Sequence, residues 1–240
     1  MVKFRVIIRG HNCQDYLHHC LKALIKQTFP KWKATVILDA PKDDSVSIAK
    51  KYARRDKRIK VFVNKKRLGV AANIWKGIAL AEAKDEDVIA IYDSDDRLSK
   101  DALETVAKEY AKNPKLLITY GSFWRTDKKK KTKTSKPYNK RKNIRKQPWH
   151  GSHLKTFKHK LYKHYKKEWL QDKNGNWYQA ASDIALMFPL FEMAGFDRTK
   201  HIKKCIYKWN RTPYKTRGHE QARNKKELRK RKPVRRLKDV

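Results

Sequence analysis

Strand-sized apolar segments alternate with helix-period segments through the first half of the chain, and few folds accommodate that alternation. Phe4–Ile8, Thr35–Leu38, Lys60–Val63 and Val88–Tyr92 are short and rich in β-branched or aromatic residues, as buried strands are. Between them, Leu17, Cys20, Leu21, Leu24 and Ile25, then Ser45, Ile48, Ala49, Tyr52 and Ala53, then Ala71, Ile74, Trp75 and Ile78 recur at helical spacing. Phe29-Pro30 ends the first of these helices, because proline lacks an N–H and holds its predecessor extended. A fourth helical pattern runs over Ala102, Leu103, Val106, Ala107 and Tyr110, with Ser99 as its expected cap, and Leu116–Tyr120 reads as a fifth strand. Strands separated by helices build βαβ units. The expected fold class is therefore α/β, a mostly parallel central sheet flanked by helices.

Such sheets bind ligands beyond the carboxyl ends of their strands. Thr35–Leu38 ends on Asp39, and Val88–Tyr92 runs directly into Asp93-Ser94-Asp95-Asp96. Three carboxylates within four positions repel one another unless a cation sits among them. A hard divalent ion, Mg²⁺ or Mn²⁺, takes one or two carboxylates and completes its shell with substrate phosphates. The glycine patterns GxGxxG and GxxxxGK[ST] are absent, as is the GxSxG elbow. A nucleotide here would be held by some other device.

Charge adds a second theme. The 240 residues carry 62 Lys+Arg against 24 Asp+Glu, a formal net charge of +38. More than half of that excess lies in two segments. Arg125–Lys146 has 12 basic residues and one acid, and Arg211–Val240 has 13 basic residues and three acids. The first reads as a mobile loop and the second, from about Arg223 onward, as a solvated tail. Either a solvated charge run or contact with a polyanion (nucleic acid, anionic lipid or acidic glycan) accounts for them. No zinc-finger, homeodomain or RNP1 pattern accompanies the charge, so nucleic acid is not the expected partner. Cys13, Cys20 and Cys205 form no CxxC pair, which excludes a disulfide scaffold and fits a reducing, cytoplasmic compartment. No apolar run approaches the ~20 residues that span a bilayer, although the basic segments suit peripheral attachment to an anionic membrane.

Several short motifs, in order, resemble inverting nucleotide-sugar glycosyltransferases of family 2, which have the GT-A fold. Val6-Ile7-Ile8-Arg9-Gly10-His11-Asn12 is similar to that family's first strand and turn. Gln27-Thr28, Val36-Ile37-Leu38-Asp39 and Leu68-Gly69-Val70-Ala71-Ala72-Asn73 match its next elements. Ile91-Tyr92-Asp93-Ser94-Asp95-Asp96 matches its D-x-D-D element, and Gly151–Phe157 resembles its acceptor-side segment. Ala181-Ser182-Asp183 followed by Glu192 resembles its D…E-x-x-G helix. The sequence departs at Arg9-Gly10-His11, which replaces a Pro/Thr turn, and at Asp39-Ala40-Pro41, which replaces Asp-Asp-Gly-Ser. The QxxRW element of processive synthases is absent, which favours transfer of single sugars.

The resemblance implies a metal-dependent inverting transfer from a UDP-, GDP- or dTDP-sugar to a hydroxyl of a glycan or lipid-linked glycan. The alternative is a basic polyanion-binding protein without catalysis. By resemblance, Arg9, Asp39, Asn73, Asp93 and Asp95 hold the donor. Asp95 and Asp96 hold Mn²⁺ or Mg²⁺ with His219 as a further ligand, and which acid of Asp93, Asp95 and Asp96 touches the metal stays open. Asp183 is the expected general base and His153 lies on the acceptor side. Trp149, Trp169 and Trp177 serve either core packing or sugar stacking. Pro189 is expected to interrupt the helix after Asp183. The expected organisation is one catalytic domain, residues 1–210. Residues 1–122 form its donor half, 123–147 a basic mobile loop and 148–210 its acceptor-side half; a basic tail, 211–240, follows.

Overall fold

The computed structural model describes residues 2–126, 135–210, 218–238 and 240. Its sheet has eight strands: β1 (Phe4–Gly10), β2 (Trp32–Asp39), β3 (Ile59–Asn64), β4 (Val88–Asp93), β5 (Arg97–Leu98), β6 (Ile118–Arg125), β7 (Lys155–Lys158) and β8 (Thr199–Trp209). Their order is β3-β2-β1-β4-β7-β6-β8-β5. β3, β2, β1 and β4 are mutually parallel, β7 runs antiparallel to β4 and β6, and β8 is parallel to β6. The four helices expected from periodicity are α1 (Gln14–Ile25), α2 (Ser45–Arg55), α3 (Val70–Leu80) and α4 (Ala102–Lys112). The single turn α5 (His159–Tyr162), then α6 (Ser182–Ala194) and α7 (Gly218–Lys230), complete the helices.

The strands are apolar on both faces because both faces are covered. Phe4, Val6 and Ile8 of β1 pack with α1, α2 and α4, whereas Ile7 packs with α3 and α6. Val88, Ala90 and Tyr92 of β4 join the first layer, and Ile89 and Ile91 the second. The outer face of α2 is basic and exposed, at Lys50, Lys51, Arg54 and Arg55.

Four expectations change. Ser99 does not cap α4; the helix starts after Asp101, and the Ser99 hydroxyl donates to that carboxylate at 2.9 Å. Pro189 does not interrupt α6, which runs from Ser182 to Ala194. Proline removes the N–H that would bond the carbonyl four residues back, and the buried Tyr165 hydroxyl donates to that carbonyl, Ala185 O, at 2.9 Å.

The expected mobile loop is ordered at its end. Ile144 and Arg145 are buried, and Arg145 makes a two-point ion pair with Glu192 of α6 at 2.6 and 2.8 Å. Residues 127–134, the lysine-rich part of that loop, lie outside the described residues. The expected solvated tail is instead a helix followed by a packed strap. Asn224 and Leu228 of α7 are buried, Arg229 donates to the carbonyls of Arg145 and Gln147, and Arg198 donates to the carbonyl of Leu237. Among the described residues no helix is long and apolar enough to cross a membrane.

Candidate active site

Parallel register brings the strand-end residues together. Pairing of β1 with β4 sets Arg9 beside Asp93, and pairing of β2 with β3 sets Asp39 beside Asn64. A Cβ at position 10 would lie 2.6 Å from Cys13 Sγ and 2.8 Å from Ser94 Oγ, so glycine there lets the β1 and β4 ends approach. Beyond these ends opens a cleft of about 330 Å³, lined by Arg9, Asp39, Arg67, Asn73, Asp93 and Asp95 among others.

Asp39 is tied into the turn that starts α3. Its Oδ1 accepts from Asn64 Nδ2 and from the Leu68 N–H, and its Oδ2 from the Gly69 N–H, each at 2.8 Å. Burial pushes its carboxyl upward, but the hydrogen bonds from Leu68, Asn64, Gly69 and Asn73 outweigh burial and hold it below the ordinary carboxylate range. Gly69 adopts φ +88°, a left-handed conformation that suits glycine. Asn73 accepts from Asn64 at 2.7 Å and donates to Gly69 O at 2.8 Å, which locks the same turn.

The acidic turn after β4 divides into three environments. Asp93 pairs with Arg9 at 2.6 Å. Burial opposes its charge, yet Arg9 first and then Lys155 hold its carboxyl below the ordinary range. Asp95 lines the cleft; burial first and then repulsion from Asp93 push it up to about 6. Asp96 is 1% exposed, accepts from the Tyr207 hydroxyl at 2.6 Å and from the Asn210 N–H at 2.7 Å, and is pushed up to about 8 by burial and its two acidic neighbours. Both of its oxygens anchor the end of β8.

His153 stacks on Tyr207 with ring centres 4.4 Å apart. Its Nδ1 lies 3.1 Å from Lys155 Nζ. Burial and Lys155 push its pKa well below the ordinary value. The imidazole is therefore neutral, with Nδ1 accepting from the ammonium and Nε2 protonated. Asp93, Asp96 and His153 each offer an atom within 4.8 Å of the others. Asp96 and His153 are turned to Tyr207 with Asn210 and to Lys155, whereas Asp93 pairs with Arg9 at the cleft. Asp95 has no ion-pair partner among the described residues, and Asp95 with Asp93 offers the cleft the all-oxygen donors that a hard cation takes. His219 sits exposed in the first turn of α7, outside the group around Asp93.

Asp183 occupies the first turn of α6, where the helix dipole favours an anion. Preceding it, Ala181 adopts φ +60°, and Asn224 of α7 donates to Ala180 O at 3.1 Å, bracing the turn. Gln179, in the same segment, lines the cleft and donates to Leu68 O at 3.3 Å. Trp149, Trp169 and Trp177 pack against the α6 side of the core, as the packing alternative holds. Three further residues of the site have no role expected from the sequence. Lys155, 2% exposed on β7, feels the charges of Asp93 and Asp183. Trp209 lines the cleft at the end of β8, and Tyr207 anchors Asp96. A second groove of about 630 Å³ lies at the opposite end of the strands, beside α4 and the start of β4, lined by Val2, Val88, Tyr110 and Pro114 among others.

The family model "Glycosyl transferase family 2" matches residues 5–177. The putative teichuronic acid biosynthesis glycosyltransferase TuaG of Bacillus subtilis is 29% identical over 99 residues, 41% of this chain and 38% of that protein. The poly(ribitol-phosphate) beta-N-acetylglucosaminyltransferase TarS of Staphylococcus aureus is 33% identical over 109 residues, 45% of this chain and 18% of that protein. The matched stretch thus spans well under half of either curated relative. Among solved structures, S. aureus TarS 1–349 in complex with UDP superposes with a TM-score of 0.68 at 19% identity, covering 88% of this chain and 61% of that one. A mannosyltransferase from Pyrobaculum calidifontis, in complex with GDP-Man and Mn²⁺, superposes at 0.62 with 16% identity, covering 93% and 60%. These likenesses establish the α/β fold of the GT-A type.

Proposed function

Because the chain belongs to glycosyl transferase family 2, we propose that it moves one sugar from a nucleotide-diphospho-sugar to an acceptor hydroxyl, with inversion and with a divalent cation. The observation that carries this reading is the convergence of Arg9, Asp39, Asp93 and Asp95 on one cleft at the carboxyl ends of β1, β2 and β4. The TarS and Pyrobaculum neighbours were solved with UDP and with GDP-Man and Mn²⁺, which supports a UDP-, GDP- or dTDP-sugar donor here.

Each residue has a physical task. Asp39 holds the Leu68–Gly69 turn so that its backbone and Asn73 form the nucleoside wall. Arg9 and Arg67 offer guanidinium groups to the diphosphate. Asp95 and Asp93 would hold Mn²⁺ or Mg²⁺, which neutralises charge on the leaving diphosphate. Inversion requires direct displacement, so one carboxylate must take the acceptor proton, and in this reading Asp183 takes it. Lys155, buried and within reach of the charges of Asp93 and Asp183, supplies positive charge to both. His153, neutral and stacked on Tyr207, belongs in this reading to the acceptor side.

The acceptor we propose is an anionic or lipid-linked glycan. Support comes from the +38 charge and from the teichuronic acid and poly(ribitol-phosphate) named for two relatives. The basic surface would also hold the protein at the cytoplasmic face of an anionic membrane. Flotation with anionic against neutral vesicles tests this; equal binding to both removes the membrane role.

The catalytic reading is tested with a panel of UDP-, GDP- and dTDP-sugars, with Mn²⁺ or with EDTA. Release of nucleoside diphosphate from one donor, lost in EDTA, is expected. Asp183→Asn should keep donor affinity and lose transfer by about 10²–10⁴-fold. A fully active Asp183→Asn enzyme overturns the base assignment, and absence of sugar-nucleotide binding across the panel overturns the function.

A further inference from the structure

Arg9 stands out as a cation built into a site expected to take up another cation. It is the register partner of Asp93, its Nη1 lies 2.6 Å from Asp93 Oδ1, and both side chains line the cleft. Asp93 also feels a second cation, Lys155, but the two differ in freedom. Lys155 is 2% exposed and does not line the cleft, whereas the Arg9 side chain is 14% exposed and lines it, and its Nη1, buried against Asp93, makes an ion pair but no aligned hydrogen bond. Arg9 can therefore turn to an anion that enters the cleft, exchanging one partner for another, whereas Lys155 is enclosed.

We propose that Arg9 is a displaceable counter-ion for Asp93. It disfavours uptake of a divalent cation by the nucleotide-free cleft and leaves Asp93 when a donor diphosphate draws its guanidinium away. Two anions then compete for one guanidinium. In the nucleotide-free protein Asp93 holds Arg9 and Asp95 is the only cleft-facing acid of the turn without a cationic partner among the described residues. A single free carboxylate is a weak site for Mn²⁺ or Mg²⁺. A diphosphate offers Arg9 a bidentate partner of higher charge. Its departure leaves Asp93 and Asp95 together for the metal, which also binds the phosphates. Metal and nucleotide thus bind with positive coupling, and by linkage each strengthens the other equally.

The inference rests on the donor reading above, and the test separates the two. Mn²⁺ binding is followed by electron paramagnetic resonance, with and without UDP, and corrected for Mn²⁺ held by UDP in solution. Wild type, Arg9→Met and Arg9→Lys are compared after circular dichroism melts show all three folded. In wild type, UDP should tighten Mn²⁺ binding about tenfold or more. Without nucleotide, Arg9→Met should bind Mn²⁺ about tenfold more tightly than wild type and gain less from UDP. Arg9→Lys, which keeps the charge, should behave like wild type. Nucleotide-free Mn²⁺ affinity that is unchanged or weaker in Arg9→Met overturns the proposal. Failure of wild type to bind UDP even in saturating Mn²⁺ instead overturns the donor reading, while the nucleotide-free comparison still decides the role of Arg9.

Discussion

The carboxylate of Asp39 accepts the backbone N–H of Gly69 at 2.8 Å, joining the end of β2 to the turn that begins α3. Together with its bonds from Asn64 and Leu68, this makes Asp39 the clamp of one cleft wall as well as a group facing it.

Asp39→Asn puts an amide donor against N–H donors, so one of them loses its acceptor. The expected loss is about 1–3 kcal/mol at pH 7. Asp39's folded pKa lies below its ordinary 3.8, so its contribution is present above that value and disappears as pH falls through the lower folded value. Melting temperatures of wild type and Asp39→Asn should therefore differ at pH 7 and converge below pH ~3.8. A gap that stays constant down to acid pH contradicts the clamp.

Tyr165 takes the place of the hydrogen bond that Pro189 removes from α6. Tyr165→Phe keeps the ring packing and strips the donor from Ala185 O. Chemical denaturation should show a loss of about 1–3 kcal/mol. The double change Tyr165→Phe with Pro189→Ala restores a helical donor and should recover part of that loss. No recovery would mean that the hydroxyl has another role.

Glu192 receives the guanidinium of Arg145 and the Val234 N–H. The paired side chains are only 5% and 8% exposed, so removing one strands the other. Glu192→Ala should cost about 3–5 kcal/mol, seen as a lowered unfolding midpoint. It should also loosen the strap that follows α7, raising hydrogen exchange around Val234. An unchanged midpoint would show that the basic C-terminal segment does not brace α6.

The parallel half of the fold was legible because burial on both faces leaves continuous apolar strands, and the helices between them keep a clear period. The acids at Asp39 and Asp93–Asp96 stood out for the same reason: each interrupts or ends an apolar run. Less legible was everything set by distant partners. Asp96 looks like its neighbours in sequence, but Tyr207 and Asn210, more than 100 residues later, turn it inward. The burial of Lys155 comes from the pairing of β7 with β4, which no local pattern announces. Within the basic tail, Asn224 and Leu228 are the only buried residues of α7, too few to show through the charge around them.

The central claim is that a nucleoside diphosphate occupies the cleft beyond β1, β2 and β4. Amide NMR of the labelled protein, titrated with UDP and with GDP in Mg²⁺, tests it most directly. The account predicts that at least one nucleotide perturbs Gly10, His11, Leu68, Gly69, Ser94 and Asp95, and that Asp95→Ala weakens the response. Perturbation confined to the groove beside α4, around Tyr110 and Ala111, or no response to either nucleotide would contradict it.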